Sequence, residues 1–160
     1  GNKNISKNTK EHEGIEVLQG NGKVKGNLIG GCIEVLEMIK GTEIWPKEDV
    51  WNDTILFLET SEDTPSPIYF EYWLRNYGSQ GILEKVNGII VGKPYNNKYY
   101  EEYKNVIKKV IRDELNLKDL PIMYNMNFGH TEPMMVIPYG ALAEIDCNNM
   151  RFSILESGVL

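Results

Sequence analysis

Two short, uninterrupted apolar runs limit what this chain can become: TILFL at 54–58 and GIIV at 88–91. A half-exposed strand alternates apolar and polar residues, and a buried helix needs more length. Runs of four or five with turn signals on both sides therefore predict strands covered on both faces. The first run stops on a carboxylate, Glu59, before a polar, proline-containing loop at 60–65. The second is closed by Gly92-Lys93-Pro94. Such strands need packing layers above and below them.

Helical periodicity supplies those layers. Tyr100, Tyr103, Ile107, Val110, Ile111 and Leu115 keep a three-to-four spacing with Lys and Glu opposite, which predicts a helix over 97–115. A second helix is expected over 67–77, entered through Ser66-Pro67 as N-cap and N1 and carrying Tyr69, Tyr72, Trp73 and Tyr77 near one face. A third is expected over 32–39, after a sharp bend at Gly30-Gly31 and before a C′ glycine at Gly41. Short strands are expected around 15–18, 23–29, 121–125, 134–137, 141–145 and 152–155, joined by Gly and Asn turns. The order of elements is mixed α/β with a β-rich tail. The expected core includes Leu56, Leu58, Ile89, Ile90, Val106, Ile107 and Val110.

Composition narrows the class. The 160 residues suit one domain, large enough to bury a core without disulfides or metal. A formal net charge of −6 argues against binding a nucleic-acid polymer, which needs clustered positive charge. No apolar run is long enough to span a bilayer as a helix. The two cysteines, Cys32 and Cys147, make neither a disulfide framework nor a zinc site by themselves. A reducing, cytoplasmic setting is expected. Residues 1–13 are polar apart from Ile5 and read as a flexible leader or linker, leaving 14–160 as the folded domain.

Few residues offer chemistry. Of the two histidines, His12 lies in the polar leader, whereas His130 follows Phe128-Gly129 at a turn after an apolar strand. By position alone a structural or exposed histidine is the commoner reading. An imidazole near its ordinary pKa at a strand-end turn is also suited to general-base work. Glu59 ends a buried strand, where open sheets place active residues; a loop carboxylate is the plain alternative. Together they make a base and its orienter, since a carboxylate on Nδ1 fixes the tautomer and stabilises the imidazolium. A nucleophile is missing. No serine sits in a Gly-x-Ser-x-Gly elbow. Ser79 lies between two helical stretches, and Cys32 at a helix start is better read as a packed small residue, although such a position can lower a thiol pKa. No residues have metal or cofactor-binding spacing, so neither is assigned. Tyr69, Phe70, Tyr72, Trp73, Tyr77, Tyr99, Tyr100 and Tyr103 read mainly as core by spacing, and lining a ligand pocket is the alternative for some of them.

Five strings in order carry a family resemblance: GKVKGNLIGG at 22–31, ILFLE at 55–59, YWLR at 72–75, GIIVG at 88–92 and NFGHT at 127–131. The chain from about Gly14 onward resembles the C-terminal domain of the LD-carboxypeptidase family of serine peptidases. LETSE at 58–62 and GHTEPM at 129–134 resemble the microcin C self-immunity branch more than the murein-recycling branch. The resemblance implies a compact mixed-sheet domain of the swivelling β/β/α type. It implies a Ser-His-Glu triad divided between two domains, with Glu59 as orienter and His130 as general base. The serine and oxyanion hole would belong to an N-terminal nucleophile domain that this chain lacks. It further implies amide hydrolysis of L,D-peptides or of aminoacyl or peptidyl nucleotides, and a homodimer is among the assemblies it suggests. The competing expectation is a non-catalytic binding or regulatory module derived from that domain.

Overall fold

A computed structural model describes residues 14–156. The predicted leader at 1–13 lies outside the described residues. The centre of the fold is a mixed seven-stranded sheet. Its strands are β1 (Glu16–Gln19), β2 (Lys23–Cys32), β3 (Thr54–Glu59), β4 (Gly88–Gly92), β5 (Ile122–Met126), β6 (Leu142–Asp146) and β7 (Arg151–Ile154). They lie in the order β1-β5-β4-β3-β2-β6-β7. Strands β2 to β5 run parallel, while β1 at one edge and β6 and β7 at the other are antiparallel. The apolar runs are thus the two central strands, β3 and β4, which explains why neither alternates.

Helices α1 (Ile33–Ile39), α2 (Pro67–Ser79), α3 (Ile82–Lys85) and α4 (Tyr100–Ile107) provide the crossovers between parallel strands. One core lies between them and the sheet. There Leu56, Leu58, Ile89 and Val91 meet Phe70, Leu74, Tyr77, Ile107 and Val110. The opposite face is closed by the sheet's own curl. Ala143 and Ile145 of β6 join Leu28, Ile55, Phe57, Ile90 and Met123 in a second core, with Phe128 across one end. Leu56, Leu58, Ile89, Ile90, Val106, Ile107 and Val110, named above for the core, are all buried. Among the described residues no helix is long and apolar enough to cross a membrane.

Four local expectations differ. Gly30 and Gly31 do not bend the chain; they extend β2, pairing with Phe57 and Leu58. Gly30 is needed for close approach, since a Cβ there would lie 1.7 Å from the Phe57 carbonyl oxygen. The helix predicted over 97–115 begins later, at Tyr100, because Asn96, Asn97 and Tyr99 take left-handed φ angles. It continues past Ile107 in wider π-helical turns over Lys108–Glu114. The apolar stretch 134–137 forms no strand. Met135 and Ile137 pack partly against the second core, and Met134 and Val136 face solvent. Lastly, only part of the expected aromatic face of α2 points inward: Tyr77 is buried with Phe70 and Leu74 and Trp73 packs partly against them, whereas Tyr69 and Tyr72 are exposed.

Candidate active site

Glu59 is the last residue of β3. Its strand neighbour on one side is Cys32 of β2, while the ladder to β4 has already ended at Leu58 and Val91. The carboxylate therefore stands at the C-terminal edge of the parallel strands, where loops from several strands meet. The turn after β5 brings His130 to it. Phe128 anchors that turn, buried with its ring edge-on to Phe57 at 6.1 Å between centroids. Gly129 follows with φ +87°, and a Cβ at that position would lie 2.3 Å from Glu59 Oε2. Only glycine permits both this backbone conformation and this approach.

The two expected site residues meet. His130 Nδ1 lies 2.8 Å from Glu59 Oε2, and the His130 backbone N–H donates to the same oxygen at 3.2 Å. Glu59 is largely covered, its side chain 11% exposed, while that of His130 is 43% exposed. The carboxylate is held by the fold and the imidazole faces outward from it. The hydrogen bond to Glu59 raises the His130 pKa above its ordinary value; partial burial opposes this, and the charges of Glu59, Glu62 and Glu34 add to it. The His130 ring lines an open cleft of about 910 Å³ together with Glu62, Lys93, Tyr95, Asn97 and Glu132.

The nucleophile candidates do not fit. Burial, together with a hydrogen bond to Glu34, pushes the Cys32 thiol up to about 12, so the thiolate is disfavoured. Ser79 ends α2, a helix that begins on the site side of the sheet and runs away from it. Ser61 is near in sequence, yet its hydroxyl donates to Glu34 at 2.8 Å and accepts from the Asp63 backbone N–H at 3.2 Å. Glu34 carries no signal of its own in the sequence. An acidic residue in a first helical turn is too common to signal a role.

Residues 25–145 match the family model for the LD-carboxypeptidase C-terminal domain. The chain belongs to that family. Among its curated relatives is the microcin C7 self-immunity protein MccF of Escherichia coli, 32% identical over 142 residues, which cover 86% of this chain and 38% of MccF. A probable murein peptide carboxypeptidase of Bacillus subtilis is 27% identical over 139 residues, covering 86% and 42% of the two chains. Among solved structures, an MccF-like protein from Streptococcus pneumoniae in complex with AMP superposes with a TM-score of 0.78 at 30% identity. It covers 89% of this chain and 45% of that one. The chain spans about 40% of the length of the curated LD-carboxypeptidase relatives it matches. The mixed α/β domain with its curled sheet is the fold of these LD-carboxypeptidase domains.

Proposed function

We propose that this chain supplies two members of a Ser-His-Glu triad for amide hydrolysis, His130 as general base and Glu59 as its orienter. The serine and the oxyanion donors stand on an N-terminal nucleophile domain preceding residues 14–160. The observation that carries the reading is the 2.8 Å contact between His130 Nδ1 and Glu59 Oε2 at the mouth of the cleft. With Nδ1–H donating to Glu59, Nε2 is the acceptor. It takes the proton of the serine hydroxyl as the oxygen attacks the amide carbonyl. It then returns that proton to the leaving amine. Glu59 stays ionised and stabilises the imidazolium formed between these steps.

The substrate is a cytosolic L,D-peptide or an aminoacyl or peptidyl nucleotide. The relative named for murein peptide supports the first, and the relatives solved with AMP and with glutamyl sulfamoyl guanosine support the second. The test compares this chain with a longer protein in which it follows a nucleophile domain. Both are assayed on an L,D-tetrapeptide and on an aminoacyl-adenylate analogue. The chain alone should release no product, since an oxyanion hole donor by itself is worth about 10²- to 10³-fold in rate. The longer protein should turn over, and His130→Ala should lower its kcat by at least about 10³-fold, because triad members act as a unit. Undiminished activity in His130→Ala would remove the proposed mechanism. Turnover by the chain alone would mean a nucleophile within it. Inactivity of the longer protein on every amide, with ligand binding intact, would favour a binding module.

A further inference from the structure

Strand pairing holds the end of β3 along one edge only, just where the site needs it fixed. Glu59 has a ladder partner on the β2 side only, at Cys32. On the β4 side pairing stops one residue earlier. Beyond Glu59 the chain enters the irregular segment 60–65. A strand end held along one edge is prone to fray, yet Glu59 Oε2 must meet both the backbone N–H and the ring of His130.

Glu34 is placed to prevent that fraying. It lies in the first turn of α1, directly after β2. Because β2 and β3 are parallel and in register at Cys32 and Glu59, α1 and segment 60–63 leave the sheet side by side. Both carboxylate oxygens of Glu34 accept from the Ser61 backbone N–H, at 3.2 and 3.1 Å. One also accepts from Ser61 Oγ at 2.8 Å, and the other from Cys32 Sγ at 2.7 Å. The Ser61 hydroxyl in turn accepts from Asp63 N–H at 3.2 Å, which sets the following turn. One side chain thus ties both flanks of the site, Cys32 before α1 and Ser61 after Glu59.

We infer that Glu34 is a positioning residue for the Glu59–His130 pair, acting through Ser61 on the backbone that carries Glu59. The inference rests on the functional reading above for its purpose, but not for its test. Glu34 touches neither His130 nor the cleft lining; it acts at one remove, through geometry and through the added negative charge near the ring. The groups whose charge reaches His130 are Glu59, Glu62 and Glu34, with Lys93 and Glu132 sharing the cleft.

The test uses this chain as it stands and needs no activity. His130 is titrated by NMR, and the proton it shares with Glu59 is followed as a low-field resonance. In Glu34→Gln the amide oxygen still accepts from Ser61. The shared-proton resonance should persist while the His130 pKa falls only slightly, from loss of charge alone. In Glu34→Ala the resonance should broaden into exchange with solvent, and the pKa should fall further toward an ordinary imidazole. A Glu34→Ala protein with wild-type resonance and pKa would overturn the inference. If Glu34→Ala does not fold, Ser61→Ala decides. It removes one of the clamping bonds and should shift both readouts the same way by less, and no shift in it would overturn the inference. Loss of the clamp would leave the functional reading standing, whereas an active His130→Ala protein would remove that reading and leave these spectra unchanged.

Discussion

Gly129 is the residue on which the site geometry depends most directly. Its φ of +87° is costly for any residue with a Cβ, and that atom would be driven to 2.3 Å from Glu59 Oε2 and 2.7 Å from Cδ. Relief requires moving either the turn or the carboxylate, and either movement breaks the contact with His130. Gly129→Ala should therefore destabilise the fold by about 1–3 kcal/mol, the range for a residue forced into a sparsely populated backbone region. It should also return the His130 pKa toward its ordinary value. Urea denaturation measures the first and an imidazole titration the second. A variant of full stability with an unchanged histidine would show that the turn is free to shift. Nothing in the sequence alone separates Gly129 from a routine turn glycine. The need for it appears only once Glu59, distant in the chain, is brought against it.

Among the elements, legibility followed how much of an element's environment its own residues encode. Strands β3 and β4 are written as unbroken apolar runs because both faces are covered, so pattern and burial agree. The stretch 134–137 has the same look without the same surroundings. Met135 N–H donates to the Asn127 carbonyl without extending into a ladder, and prolines at 133 and 138 bracket the stretch. Helix α2 is legible as a helix, but its rotation is legible only in part. Aromatic residues occur on both of its sides, and the inward side holds a carboxylate, Glu71, paired with Arg75 and Lys109. Spacing groups Tyr69, Tyr72, Trp73 and Tyr77, whereas packing takes Tyr77 with Phe70 and Leu74 and leaves Tyr69 and Tyr72 outside. This rotation can be checked by stability. Leu74→Ala, emptying a site 1% exposed, should cost about 2–5 kcal/mol. Tyr72→Ala, 55% exposed, should change stability by no more than about 0.5 kcal/mol. Chemical denaturation of the two variants distinguishes the observed rotation from the expected one, which would reverse the order.

For the molecule as a whole, a single titration couples stability to the proposed chemistry, with opposite signs. The fold raises the His130 pKa above 6.5, chiefly through the Glu59 hydrogen bond. A histidine bound more tightly to its proton in the folded state stabilises that state when charged. That contribution is fully present below the unfolded-state pKa and is lost as pH rises through the higher folded-state value. The stability gap between the wild-type chain and His130→Gln should then be wider at about pH 5.5 than at about pH 9, with the loss centred above the ordinary imidazole range. The ring's exposure to solvent keeps the effect small. A general base, by contrast, works only when neutral. In a protein that also carries the nucleophile, the acid limb of the kcat/KM profile should lie above that of an ordinary imidazole, and rate should rise over the same interval in which the stabilising charge on the ring is lost, the Nδ1–H bond to Glu59 remaining. Glu59→Gln separates the two contributions of the carboxylate. It removes the charge that raises the pKa, so the acid limb should move downward, and it removes the partner that stabilises the imidazolium, so the plateau should fall. Thermal unfolding across pH and a pH–rate profile on the same variant read these separately. If the limb of Glu59→Gln stays where the wild type has it, His130 is not the group that controls the rate, however close the two side chains lie.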